Sequence, residues 1–272
     1  MERWMNQGTT LCYHDVEKDI TYCHKYHFEA IELKYSVIKD FNLDKLKQLL
    51  ENNQVRVGAL GALCLPVFED IVRKQQMERK LDNMCQIAVE IECEYIVLIP
   101  PRGKMKKEIK EDFEIISLFQ TYLAIAERYG LKLAFEVTGF EDSLVNTFQR
   151  GLMLTRTLSS KNIGLILDFY HFFSGGMKYN ELLEAKADEI FIVHANDGVK
   201  NRDRRYLDED RFWPGEGDFQ ISELIDILQR INYSGPISIE VYQRTGWKTD
   251  IEYCYQNSML KMNELLGEKR ND

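Results

Sequence analysis

The pattern that most restricts this chain is a short apolar run carrying, near its end, a side chain of the kind that binds metals, and it occurs four times. LKLAFEV carries Glu136, IGLILDFYH carries Asp168, EIFIVHAN carries His194 and GPISIEVY carries Glu240. Runs this short and this apolar read as strands buried on both faces, the mark of a parallel sheet. In such sheets the chemistry sits outside the carboxyl ends of the strands, where these four residues fall. The gaps between them, from 26 to 46 positions, are too long for one helix or loop and suit successive strand-and-helix units.

The length agrees with that reading. At 272 residues the chain is close to the roughly 250 of an eight-stranded barrel, so an α/β chain forming a single (β/α)8 TIM-barrel domain over residues 1–272 is expected. Strands are predicted at 3–6, 28–33, 55–63 and in EYIVLIPP, ahead of the four that carry the candidate ligands. Helices are predicted at 16–26, 43–52 behind Asn42 as N-cap, 67–91, 113–129 stopped by Gly130, 147–158, 221–231 and 251–266. The two glycines of VRVGALGAL predict close packing or a ligand passing near. KMKKEIKED reads as a solvated loop leading into a helix. The longest connection, 196–219, closes with WPGEGD and reads as a lid or binding loop.

Charge and cysteine usage remove several classes of function. A net charge of −9 argues against a general polyanion binder, so no nucleic-acid partner is expected. Six cysteines are scattered without a CxxC pair behind a charged start, MERWMNQG, that lacks a secretory signal. Reduced thiols in a cytoplasmic protein are expected, and Cys64 is read as packing. No apolar run approaches the roughly 18 residues of a membrane span. Oligomeric state is left open, a homo-oligomer included.

Each candidate residue has a bland reading, since a single Glu or Asp at a strand end is commonly a cap or surface charge and a lone His is commonly a satisfied half-buried residue. Two Glu, one Asp and one His on successive strands are a different matter. Together they form a donor set that one divalent ion accepts: Mn²⁺, Zn²⁺ or Co²⁺, with Mg²⁺ also compatible. No basic run or Gly-rich loop marks a phosphate site, which favours an unphosphorylated substrate.

FEVTG, LDFYHFF, VHAND, DEDRFWPGEGD and YSGPISIEVY resemble the strands and loops of the xylose-isomerase-like TIM-barrel superfamily of sugar isomerases, epimerases and apurinic-site endonucleases. GTTL, GALGAL, VNTF and LDEDRFWPGEGD make the chain most similar to its inosose (2-keto-myo-inositol) isomerase branch over nearly the whole length. The resemblance implies that Glu136, Asp168, His194 and Glu240 hold one divalent metal and that Glu136 and Glu240 are the paired acid and base. It also implies that His171 and Arg211 face substrate, His171 having a supporting role toward the metal as its alternative. The activity implied is movement of a carbonyl to a neighbouring hydroxyl carbon through an enediolate. A ketose 3-epimerase or inosose dehydratase on the same scaffold is the alternative. An endonuclease is disfavoured because Asp210-Arg211-Phe212, GALGALC and IPPRG lack the extra histidines of the three-metal branch. A non-catalytic binding protein is disfavoured because all four ligands are present. Trp213 is expected either to line the substrate pocket or to pin the loop. Glu141 and Asp142 are read as helix caps, reach to a substrate hydroxyl being the alternative, and Asn196 and Asp197 as support for the site or a loop turn.

Overall fold

The computed structural model describes residues 1–66, 71–102, 111–200, 206–242 and 250–267. Eight parallel strands close into a barrel: β1 (Arg3–Asn6), β2 (Ala30–Lys34), β3 (Arg56–Cys64), β4 (Tyr95–Ile99), β5 (Lys132–Glu136), β6 (Ile163–Asp168), β7 (Ile190–Ala195) and β10 (Ile237–Ile239). The intervening β8 (Asp197–Gly198) and β9 (Arg211–Phe212) form a small antiparallel ribbon above the mouth. Each neighbour in the ring is the next barrel strand in sequence, and β10 closes onto β1 with Arg3 opposite Ile237. That order is the one successive strand-helix-strand units produce.

Strand alternation decides which side chains enter the barrel. Trp4, Ala30, Ala59, Val97, Ala134, Ile166 and Ile192 pack on one another as a separate apolar plug inside the ring. Residues one position away, such as Met5, Ile31, Phe135, Leu167 and Val193, belong to the larger core between barrel and helices. Two positions beyond Ala134, Ile166 and Ile192 stand Glu136, Asp168 and His194, which the same period turns inward one layer higher. Gly58 explains one of the two glycines of β3. A Cβ there would lie 2.4 Å from the Trp4 ring, so the residue lets the indole fill the floor of the barrel.

The helices fall close to their expected places: Val16–Lys25, Leu43–Asn53, Phe148–Thr157, Ile221–Arg230 and Ile251–Leu265. Asn42 and Thr147 cap theirs by accepting from the backbone N–H of Lys45 and Arg150. The helix expected over 67–91 is described as Ile71–Glu90, and the one expected over 113–129 as Glu111–Glu127. Residues 67–70 lie outside the described residues, as does most of KMKKEIKED. The turn Phe169–Ser174 was not anticipated; it begins because the Asp168 side chain accepts from the His171 N–H at 2.8 Å. Glu141 and Asp142 are not the cap of the helix that follows them; that cap is Thr147. They lie in a turn, where Asp142 accepts from Arg102 Nε at 3.0 Å. No helix among the described residues is long and apolar enough to cross a membrane.

One buried acid ties the start of the chain to its last helix. Asp19 accepts from Gln7 Nε2 at 2.8 Å, Thr10 Oγ1 at 2.7 Å and Tyr255 OH at 3.0 Å. Gln7 Oε1 is committed to the Lys34 N–H at 2.8 Å, so its amide cannot turn round. Asp19→Asn therefore either sets its NH₂ against that of Gln7 or, turned round, takes the acceptor away from the Thr10 and Tyr255 hydroxyls, and loses about 1–3 kcal/mol of stability. Equilibrium urea unfolding measures this, and an unchanged midpoint would contradict the assignment.

Candidate metal centre and substrate cavity

Glu136, Asp168, His194 and Glu240 converge as the barrel geometry requires, each offering one ligand atom within 4.8 Å of the others. His194 Nδ1 is 3.1 Å from Glu136 Oε1, 3.2 Å from Glu240 Oε2 and 3.8 Å from Asp168 Oδ2. All four are buried. Glu240 lies just past β10, held there by Thr9: the hydroxyl donates to Ile239 O at 3.3 Å and accepts from Val241 N at 2.9 Å. Asn196, at the end of β7, donates to Asp168 Oδ2 at 2.9 Å and to Glu240 O at 3.2 Å, and accepts from Tyr170 N at 2.6 Å. It therefore supports the site. Asp197 shapes the loop instead, accepting from Gly198, Gly215 and Phe219 N–H groups.

Among the residues not singled out in the sequence, Glu32, Lys34 and Tyr242 meet the converging side chains directly. Glu32, in the middle of β2, reaches His194 Nε2 at 3.2 Å. Lys34, two positions on, donates to Glu240 Oε1 at 3.0 Å and to Tyr242 OH at 3.2 Å. Tyr242 OH in turn donates to Glu240 Oε1 at 3.3 Å. The signal for Glu32 was present, since FEAIEL is an apolar run with an acid near its end like the other four.

The donor set fits a divalent cation on its own chemistry. With Glu32, Glu136, Asp168 and Glu240 ionised, the facing cations Lys34 and Arg211 leave two negative charges in a buried layer. Burial opposes a charged imidazole, yet Glu32, Glu240 and Glu136 hold the His194 pKa well above the ordinary histidine range. Burial likewise opposes ionised Glu240, but Lys34, His194 and Arg211 hold it well below the usual carboxylate range. A proton on His194 thus stands where positive charge is wanted.

A cavity of about 300 Å³ opens beside this layer, lined by Glu136, Glu240, His171, Arg211, Thr138 and Phe140 on the ligand side. Its other wall includes Cys64, Leu65, Ile99, Pro100 and Arg102, so Cys64 borders the cavity instead of packing in the core. Arg211 is buried beneath the ribbon, 3.4 Å from Asp168 Oδ2, and also pairs with Asp208. Its Nη2 donates to His171 Nε2 at 3.0 Å. A guanidinium only donates, so the neutral ring of His171 carries its proton on Nδ1. That nitrogen is buried and has no hydrogen-bond partner among the described residues. Trp213 stands elsewhere: its indole N–H donates to Ser258 Oγ at 3.1 Å and its ring meets Tyr253 edge-on, pinning the loop to the last helix. A larger groove of about 840 Å³ opens at the opposite end of the barrel, but its Lys132 and Arg156 are paired with Glu94 and Glu189.

Three outcomes are expected. Zinc uptake at neutral pH releases about one proton, since a ligating imidazole must be neutral; calorimetry in buffers of different ionisation enthalpy reads it, and uptake without release would contradict the protonated His194. Asp168→Asn weakens zinc binding at least about tenfold in a chelator competition. Trp213→Phe lowers stability by about 1 kcal/mol with zinc affinity unchanged, and a fall in affinity would place the indole at the site after all.

The comparisons with known proteins agree with this geometry. The family model described as "Xylose isomerase-like TIM barrel" matches residues 20–257. The inosose isomerase of Halalkalibacterium halodurans is 31% identical over 93% of this chain and 92% of its own. That of Bacillus subtilis is 27% identical over 95% of each. The crystal structure of IOLI protein with a bound zinc atom superposes with a TM-score of 0.92 at 26% identity, covering 100% of both chains. This chain belongs to the xylose isomerase-like TIM-barrel family of enzymes.

Proposed function

We propose that the protein is a divalent-metal-dependent isomerase that moves a carbonyl to the neighbouring hydroxyl carbon of a small polyol ketone, inosose being the leading substrate. The observation that carries this reading is the meeting of three carboxylates and an imidazole at the edge of a cavity sized for a small polyol. Relatives spanning the whole chain that are named inosose isomerase support the substrate. Glu136, Asp168, His194 and Glu240 would hold the ion, and zinc, found in the similar structure, is the first to load. When bound, the ion supplies Lewis acidity toward the ketone and compensates the negative charge that develops on its oxygens.

The residues of the chain supply the proton traffic. Glu136 borders the cavity and accepts the proton from the hydroxyl-bearing carbon, leaving an enediolate. Glu240, ionised at rest, is the second carboxylate of the pair: it takes up the hydroxyl proton and delivers it to the former carbonyl carbon, while Glu136 returns its proton to the old carbonyl oxygen, so both carboxylates end as they began. The net change is an isomerisation with no redox partner. Lys34 and Tyr242 occupy Glu240 Oε1, so Oε2 is the oxygen that faces the other ligand atoms. His171, with its proton on Nδ1, donates to a substrate oxygen, and Arg211 holds that tautomer. The apolar wall of Leu65, Ile99, Pro100 and Phe140 excludes water around the reacting carbons.

The test is incubation of zinc- or manganese-loaded protein with inososes and ketoses in deuterated water, followed by NMR. The expected result is deuterium at the carbon next to the carbonyl and an inosose of shifted carbonyl position. Epimerised or dehydrated products would reassign the reaction, and no exchange with any of these substrates would overturn the proposal. Glu136→Gln and Glu240→Gln should each lower kcat by roughly 10²–10⁴-fold while the fold is kept, read by steady-state kinetics beside circular dichroism.

A further inference from the structure

Glu32 is a fourth carboxylate beside the ligand layer, and the reaction just described gives it no task. It is buried, facing inward from the middle of β2, and among the described residues its Oε1 makes no hydrogen bond, the nearest basic group being the same His194 Nε2 at 3.2 Å. Its neighbour Lys34 is spent on Glu240 instead. What Glu32 does face is one edge of the His194 ring, with Nε2 at 3.2 Å. The opposite edge, Nδ1, faces Glu136, Glu240 and Asp168 at 3.1, 3.2 and 3.8 Å. The imidazole is thus sandwiched between one acid and three.

A ligating imidazole is neutral and carries a single N–H, on the nitrogen that the ion does not use. We infer that Glu32 is the positioning residue that makes this choice: it accepts the Nε2–H of His194 and so turns the Nδ1 lone pair toward Glu136, Asp168 and Glu240. The inference rests on the metal-site reading proposed above. The reverse arrangement would put the proton among three carboxylates and direct the lone pair at Glu32 alone, away from the converging donors. A carboxylate in this place also raises the basicity of the ring and strengthens its hold on the ion. Burying such a charge against a neutral N–H is costly, but a cation on the far side of the ring compensates it through the imidazole.

The experiment uses the whole protein and zinc alone. Zinc affinity is measured by competition with a chromophoric chelator for wild type, Glu32→Gln and Glu32→Ala, and ¹⁵N NMR of histidine-labelled, zinc-loaded wild type reads which nitrogen of His194 is bound. The expected spectrum has Nδ1 on zinc and Nε2 protonated. Glu32→Ala should bind zinc about 10- to 100-fold more weakly, whereas Glu32→Gln, which keeps an acceptor, stays close to wild type. Zinc on Nε2, wild-type affinity in Glu32→Ala, or a loss in Glu32→Gln as deep as in Glu32→Ala overturns the inference. If Glu32→Ala does not fold, the wild-type spectrum and Glu32→Gln decide it. No turnover is read, so a failed isomerase assay leaves this result standing; a wild type that binds no zinc overturns the metal site and this inference together.

Discussion

Like charges buried in one layer repel, and in this barrel four acids share such a layer with two facing basic side chains among the described residues, Lys34 and Arg211. Everything around the mouth is arranged about that imbalance. Lys34 takes one oxygen of Glu240, Arg211 and Asn196 share Asp168, and Glu32 lies behind His194. The charge left over calls for a divalent cation, and the imidazole among the donors favours a borderline ion over a purely oxygen-seeking one. Without that constraint, Arg211 would have little reason to be buried so deeply in the mouth of the barrel.

The fold meets the constraint through strand alternation on a closed ring. The plug of Trp4 and its small and branched neighbours sets the floor, and the same two-residue period lifts Glu136, Asp168 and His194 to the next layer. Closure brings β5, β6, β7 and β10 round one arc, so residues more than a hundred positions apart reach the same point. Loops then refine what the strands deliver. Thr9 grips the backbone on both sides of Glu240, and Asp197 gathers three N–H groups to hold the ribbon that lowers Arg211 into place.

The barrel and the four converging residues were legible because each strand carries its own period and its own terminal side chain. Glu32 shows where that legibility ends. Ala30 and Glu32 alternate inward as Ala134 and Glu136 do, yet one strand's period cannot say whether its acid meets the ion or the back of an imidazole. That depends on the register of β2 through β1 to β10, a property of the closed ring. Trp213 and Arg211 were harder for a related reason. They sit two residues apart in one loop, and only the packing of that loop on the last helix sends the indole to Ser258 and the guanidinium to His171. Cys64 looked like core because it ends an apolar run, but at the carboxyl end of a barrel strand the run opens onto the cavity.

The two halves of the ring have different duties, and this bears on how such a site can change substrate. One arc provides the four converging residues; β1 and β2, outside it, provide Asn6, Glu32 and Lys34, polar side chains of which Glu32 and Lys34 contact His194 and Glu240 without belonging to that set. β3 and β4, with the residues just beyond them, provide Cys64, Leu65, Ile99, Pro100 and Arg102, which wall the cavity. Arg102 stacks over Phe140 at 4.4 Å and is anchored by Asp142, so even the charged part of that wall is held from outside the ligand layer. A substitution at Leu65 or Ile99 can therefore reshape the space for a polyol while the donor geometry stays as it is. On the proposed reading, proton-transfer groups and substrate wall rest on separate arcs, which would let selectivity for the substrate vary while the enediolate chemistry is retained.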